Sequence, residues 1–289
     1  MQTAYSREQL EEMARSVPVW FHSIDLGQGV LTNGMRTAPH LARATEELRL
    51  PDLLGKSVLD VNAWDGFFSF EAERRGARRV VALDHYMWAM DQAEHFRYWK
   101  ECKSRGITPQ PYHTMPYYRP DELPGKAGFT MARQALQSRV EDVVGDFMEM
   151  DLSGLGSFDV VLYLGSLYHM RDPLRALERL AAVTGELAVI ETEAVELPMY
   201  EQRAFCEFFE TNELNGDVSN WWAPNEKALA GLCRAAGFQR VEIVSGAPER
   251  WSRRGLRVAA GGMLRRLSPG KKETGPRVVR YRAVAHAWK

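Results

Sequence analysis

Short apolar runs recur at intervals along the middle of this chain: KSVLDVN (56–62), RRVVALD (78–84), VEDVVGD (140–146), FDVVLYLG (158–165) and ELAVIET (186–192). The first three stop at an amide or an acid. Continuous apolar runs of this length suit strands buried on both faces of a parallel sheet. Helical segments alternate with them: GFFSFEAERRGA (66–77), MDQAEHFRYWKECKSRG (90–106) and DPLRALERLAAVTG (172–185). Asp172 and Pro173 form a cap and first turn, and Gly185 is the expected stop. Further on, 223–246 reads as a helix, a Gly-Phe turn and a strand, and RVVRYRAVAHAW (277–288) as a closing edge strand. Alternation of this kind predicts a doubly wound α/β fold with right-handed crossovers and seven mostly parallel strands, the last two antiparallel.

Two segments break the pattern. Residues 1–50 are expected to form an N-terminal cap of helix and loop, and residues 51–289 the main domain. Within it, 106–130 carries five prolines and four aromatics, which for an ordered loop of that length predicts a lid over the carboxyl edge of the sheet. Residues 249–276 read as a basic insertion before the last strand. From Glu249 to Arg282 there are eleven Lys or Arg against two Glu, so a net charge of −1 for the chain leaves about −10 on the rest. Such a stretch either meets RNA phosphates or an acidic substrate, or is a solvated arginine-rich surface.

Composition narrows the chemistry. Cys102, Cys206 and Cys233 are far apart, with no zinc-ligand spacing, so a structural zinc or a cysteine nucleophile is disfavoured and no metal is expected. No run of 18 apolar residues occurs, and the polar start MQTAYSREQLEEMARS lacks the core of a secretory signal. It reads as the N-terminal helix of a cytoplasmic protein that does not engage a membrane. Oligomeric state is not legible.

In an open parallel sheet, ligands bind beyond the carboxyl ends of the strands. The first strand ends at Asp60, and its turn, Asn62-Ala63-Trp64-Asp65-Gly66, has Asn and Trp where a nucleotide-binding turn usually has glycine. Asn visits the left-handed backbone region more readily than other non-glycine residues, so the turn is expected to survive. Asp65, near the helix N-terminus, would repel a pyrophosphate and favour a cation such as an ammonium or sulfonium. Asp84 ends the second strand at about the spacing of a ribose-binding acid, with His85 beside it. Asp146 ends the third strand, placed for an exocyclic amine, with Phe147 next to it to pack on a purine. The ligand implied is an adenosine bearing a cationic amino-acid appendage.

With its three acids in this order, the chain resembles the class I S-adenosylmethionine-dependent methyltransferases over roughly residues 50–245. VLDVNAWDGFFSF is similar to their first motif, and Asp84 and Asp146 match their ribose-binding and adenine-binding acids. More narrowly, LYLGSLYHMRDPLRAL (162–177), which contains Gly165, and WWAPNEKALAGLCRAAGF (221–238) resemble the tRNA wobble-uridine carboxymethyltransferases and related proteins. Those enzymes use a carboxylated donor held by a Lys, a Tyr and an Arg. Tyr168 matches the Tyr and Arg282 the Arg, but the segment corresponding to the Lys, SIDLGQGVLTNG, contains none. Loss of a cation weakens carboxylate binding, which favours plain S-adenosylmethionine.

Methyl transfer to a hydroxyl needs an in-line approach and a place for the proton. His169, after the fourth strand, and His22, in the cap, are the candidate bases. His85 and His113 flank the same region. The aromatic residues Trp20, Tyr117 and Trp222, together with Arg282, are the candidate contacts to the acceptor. Three functions remain open at this level: a methyltransferase acting on a small-molecule hydroxyl or amine, a tRNA-modifying enzyme, and a protein that binds S-adenosylmethionine without transferring its methyl.

Overall fold

The computed structural model describes residues 4–197, 200, 202–248 and 278–289. The basic 249–276 stretch therefore lies outside the described residues. Seven strands form the central sheet: β1 (Ser57–Val61), β2 (Arg79–Asp84), β3 (Glu141–Val144), β4 (Phe158–Leu164), β5 (Thr184–Glu196), β6 (Arg240–Ser245) and β7 (Val279–Trp288). Their spatial order is β6-β7-β5-β4-β1-β2-β3. Strands β1 to β5 pair in parallel, and β7 runs antiparallel to both its neighbours. The order reverses between β1 and β4, which opens a crevice at their carboxyl ends.

The expectation of a closing edge strand is corrected here. β7 lies inside the sheet, between β5 and β6, and β6 is the edge. Its sequence explains why. Tyr281, Ala283, Ala285 and Ala287 pack into the apolar layer on one face, while Val284 packs into the layer on the other. A strand buried on both faces belongs in the interior. The same alternation holds elsewhere: Val58, Val80 and Val160 face one layer, and Leu59, Val81 and Val161 face the other.

Helices α3 (Phe67–Arg74), α4 (Gln92–Arg105), α5 (Ala127–Ala135), α6 (Pro173–Val183) and α7 (Glu226–Ala235) connect the strands, preceded by α1 (Arg7–Ser16) and α2 (Ala38–Leu48). Side chains satisfy the otherwise unpaired N–H groups at several starts. Ser6 forms a capping box with Gln9, and Asp91, Asp172 and Asn225 each accept a backbone N–H at the start of their helices. Gly185 does not stop α6. That helix ends at Val183 and passes straight into β5, of which Gly185 is the second residue.

The N-terminal segment adds two short paired ribbons to α1 and α2. Trp20–His22 runs parallel to Gly34–Arg36, and Asp25–Gly27 pairs with Val30–Leu31. Glycine is required at position 34, where a Cβ would sit 2.1 Å from the His22 carbonyl carbon. The 106–130 segment is held by the bridge between Met90 and Tyr118 and by the Asp91 N–H, which donates to the Tyr117 carbonyl at 2.7 Å.

Candidate functional site

A cavity of about 1270 Å³ opens at the carboxyl edge of the sheet. The turn after β1 forms its floor. Asn62, Trp64 and Gly66 all adopt positive φ, at 63°, 54° and 84°. The N–H groups of Asn62 and Ala63 both donate to the Leu83 carbonyl, at 2.7 and 3.2 Å, which folds the turn against β2. Gly66 is needed for more than its backbone angle, since a Cβ there would lie 2.7 Å from the Phe129 ring.

A left-handed tryptophan is strained, by about 1–2 kcal/mol. Four contacts hold Trp64 in place. Its N–H donates to Asp84 Oδ2 at 2.8 Å and its indole N–H to Gln92 Oε1 at 3.1 Å. Its carbonyl accepts from the Trp88 indole at 2.5 Å, and its ring stacks on Phe21, with centroids 3.6 Å apart.

Three acids surround this turn. Asp60 is buried, accepts from Ser69 Oγ at 2.6 Å, and has its pKa pushed up to about 7 by burial, with Asp84 and Asp65 adding repulsion. Asp84 also accepts from the Met87 N–H at 3.0 Å. Burial raises its pKa to about 6, against the pull of four backbone N–H groups. Both line the cavity. Asp65 does not. It is 2% exposed, its Oδ2 accepts from the backbone N–H groups of Phe21 at 3.0 Å and His22 at 2.8 Å, and its Oδ1 bonds His22 Nδ1. The carboxylate expected to meet a cationic ligand is instead committed to the N-terminal segment.

Asp146 is exposed at the cavity wall and accepts from the Met148 N–H at 2.8 Å. Phe147 also lines the wall, although most of its ring is buried against Tyr163. His85 meets the edge of Tyr118. Opposite them, Gly165, Tyr168 and Arg282 share the wall with Glu191. Arg282 bonds Glu191 through two nitrogens, and donates to Glu193 at 3.0 Å and to the Tyr168 hydroxyl at 3.1 Å. Burial weighs against its charge, yet Glu191, Tyr168 and Glu193 together hold its pKa well above the ordinary value. Burial raises the pKa of Tyr168, with Arg282 opposing.

His169 and His22 both line the cavity, from the β4 side and from the N-terminal segment. His169 Nδ1 lies 2.9 Å from Ser219 Oγ, which donates to Asp217 at 2.7 Å. Burial lowers the pKa of His169. Tyr117 also lines the cavity, but two of the aromatic candidates do not. Trp20 is core, its indole donating to the Ala14 carbonyl at 2.9 Å, and Trp222 turns away to pack on Phe208. Its neighbour Trp221 faces the cavity under the Arg171 guanidinium.

Several wall residues were not predicted: Glu191, Asp217, Ser219, His95, Arg36 and Arg171. Glu191 had a legible signal, since it opens the Glu-Thr-Glu that follows the apolar run of β5. Asp217 and Ser219 lie in a segment without periodicity and had none. No group of three or more potential metal ligands occurs among the described residues, nor any helix long and apolar enough to cross a membrane.

No family model matches the sequence. In structure, the chain is similar to the N-terminal domain of EvdMO1, crystallised with S-adenosylhomocysteine and D-fucose. The TM-score is 0.52 over 98% of this chain and 97% of that one, at 16% identity. It is also similar to a phosphoethanolamine N-methyltransferase of Haemonchus contortus, with a TM-score of 0.50 over 87% of this chain and 53% of that one, at 12% identity. Taken with the strand order, this decides the fold. The chain has the class I methyltransferase fold.

In sequence it is related to tRNA U34 carboxymethyltransferases. It is 26% identical to that of Colwellia psychrerythraea over 68% of this chain and 48% of the relative, and 29% identical to that of Ectopseudomonas mendocina over 72% and 50%. Over a shorter stretch of 93 residues, 31% of this chain and 33% of the relative, it is 34% identical to that of Helicobacter pylori. The two longer matches span about half the length of those relatives. In this class I methyltransferase fold, Asn62, Asp84, Asp146, Gly165 and Tyr168 line the cavity, Asp65 does not, and the N-terminal segment supplies a wall of its own.

Proposed function

We propose that this protein transfers a methyl group from S-adenosylmethionine to a hydroxyl or amine of a small-molecule acceptor. The observation that carries this reading is the lining of the cavity. Phe21 and His22 of the N-terminal segment, Tyr112, Tyr117 and Tyr118 of the 106–130 segment, and Ser219 and Trp221 all line the space above the sheet edge. Walls of this kind suit a compact acceptor rather than a polynucleotide.

The residues fit the donor. Asp84 and Asp146 would hold the ribose hydroxyls and the adenine amine. Asn62, whose side-chain amide bonds no other described residue, would meet the amino-acid part along with Gly165. When bound, S-adenosylmethionine supplies a methyl carbon on a positively charged sulfur. The Arg282 cluster sets one guanidinium against two carboxylates, so it offers no spare positive charge to a carboxylated donor. That supports the plain donor over the carboxylated one.

A specific observation favours a second reading. The sequence relatives are tRNA U34 carboxymethyltransferases, and the basic 249–276 stretch is of the kind that meets phosphates. One experiment separates these readings. The purified protein is incubated with S-adenosylmethionine or its carboxylated form, against a small-molecule panel and against total tRNA, and the S-adenosylhomocysteine released from either donor, together with the mass gained by the acceptor, is measured by mass spectrometry. Turnover on a small alcohol or amine with the plain donor is expected. Turnover on tRNA, or only with the carboxylated donor, would overturn the reading, and binding without turnover on any acceptor would make the protein a non-catalytic binder.

A further inference from the structure

His22 of the cavity wall is paired with a buried acid behind it, and the donor contacts proposed above use neither. We propose that His22 and Asp65 form a base dyad in which His22 Nε2 takes the proton from an acceptor hydroxyl. This rests on the function proposed above and narrows its acceptor to an alcohol or phenol.

The geometry is one-sided. Asp65 lies behind His22 and is shut off from the cavity, while His22 lines it. Asp65 Oδ1 takes the Nδ1 side of the ring, and its Oδ2 is saturated by the Phe21 and His22 backbone N–H groups. This fixes the proton on Nδ1 and leaves the lone pair on Nε2, which bonds no described residue. The aromatic neighbours of the ring, Phe21, Trp64, Phe67 and Phe68, are uncharged, and Arg36, which pairs with His22 across the short ribbon, also lines the cavity. A buried carboxylate placed there stabilises the imidazolium that forms when Nε2 gains a proton.

His169 is the poorer base. Its Nδ1 faces the carbonyl and hydroxyl of Ser219, which are neutral. Burial lowers its pKa, and the Arg282 charge adds to that, with Asp217 opposing.

The step balances. The hydroxyl oxygen forms the new O–C bond with its own electron pair, and the S–C pair stays on sulfur, whose positive charge is lost. The O–H proton passes to Nε2, so the charge reappears on the imidazolium beside Asp65. A neutral amine already offers its lone pair before it loses a proton, so a base with a carboxylate behind it points to an oxygen acceptor.

The test uses the full chain labelled with ¹⁵N-histidine, with His22→Gln to assign the resonance. In its neutral form, His22 is expected to carry its proton on Nδ1. In Asp65→Ala the proton is expected to move mainly to Nε2. Diethylpyrocarbonate should modify His22 at Nε2. A neutral His22 with its proton on Nε2 in the unmodified chain, or a His22 unreactive toward diethylpyrocarbonate, would overturn the dyad. The diethylpyrocarbonate result, read by peptide mass spectrometry, needs no variant to fold. If S-adenosylhomocysteine does not bind by calorimetry, the donor reading fails and the dyad with it. If it binds while the tautomer is wrong, the dyad alone fails. Methylation confined to amines in the acceptor panel would also overturn it.

Discussion

The Phe21 ring lies 4° from parallel to the Trp64 indole, with centroids 3.6 Å apart. One ring belongs to the N-terminal segment and the other to the turn that forms the cavity floor, so the stack couples the two. Trp64→Gly would relieve about 1–2 kcal/mol of backbone strain. It would forfeit the aromatic pair, the bond to Gln92 and the buried indole surface, which together outweigh that gain. The expected net loss is about 2 kcal/mol of stability in urea denaturation, with faster proteolysis in residues 17–37.

Gly66→Ala should be worse than its single methyl suggests. The new Cβ would meet the Phe129 ring at 2.7 Å and the Phe70 ring at 2.8 Å, on a backbone that favours glycine. Overpacking and strain together predict a loss of about 3 kcal/mol, read as a lower Tm.

Asp60 makes stability depend on pH. Its folded pKa of about 7 lies above the unfolded value of 3.8. Between about pH 4 and pH 7 the folded chain keeps a proton that the unfolded chain has lost, so stability falls as pH rises through that window. Asp60→Asn should shrink the loss between pH 5 and pH 8 by about 2–4 kcal/mol. Asp84, with a folded pKa of about 6, contributes over pH 4–6 and remains in the variant. Denaturant titration at the two pH values measures the difference.

Arg282→Met should destabilise the fold by about 3 kcal/mol, because it leaves Glu191 and Glu193 partly buried without their cation. Adding Glu191→Gln and Glu193→Gln should recover most of that loss. If the triple variant is no more stable than the single one, packing of the guanidinium, not charge, is what holds this wall.

The sheet was legible because its strands are buried on both faces, and a run such as VVLYL has little choice of environment. The position of β7 was not. Its alternating arginines, Arg280 and Arg282, read as an exposed edge until Glu207, Glu191 and Glu193 are seen to pair with them. Asn62 was legible from its tolerance of left-handed backbone. Trp64 at φ 54° was not, since nothing local favours it and only contacts with Asp84, Gln92, Trp88 and Phe21 hold it there. Asp65 was misassigned because its spacing in the turn says where the residue sits, not that a distant histidine would claim its carboxylate.

The Arg282 cluster has a consequence for how the chain assembles. Arg282 sits directly opposite Glu193 across the β5–β7 pair, and Glu191 shares that face two residues away. A slip of one residue between these strands would turn Arg282 toward the opposite, apolar layer and strand both acids without a cation. Ten aligned positions in which alanine and valine recur on both strands would tolerate several alignments on shape alone. One alignment gives both acids a shared cation, so the cluster proofreads the pairing of the two strands.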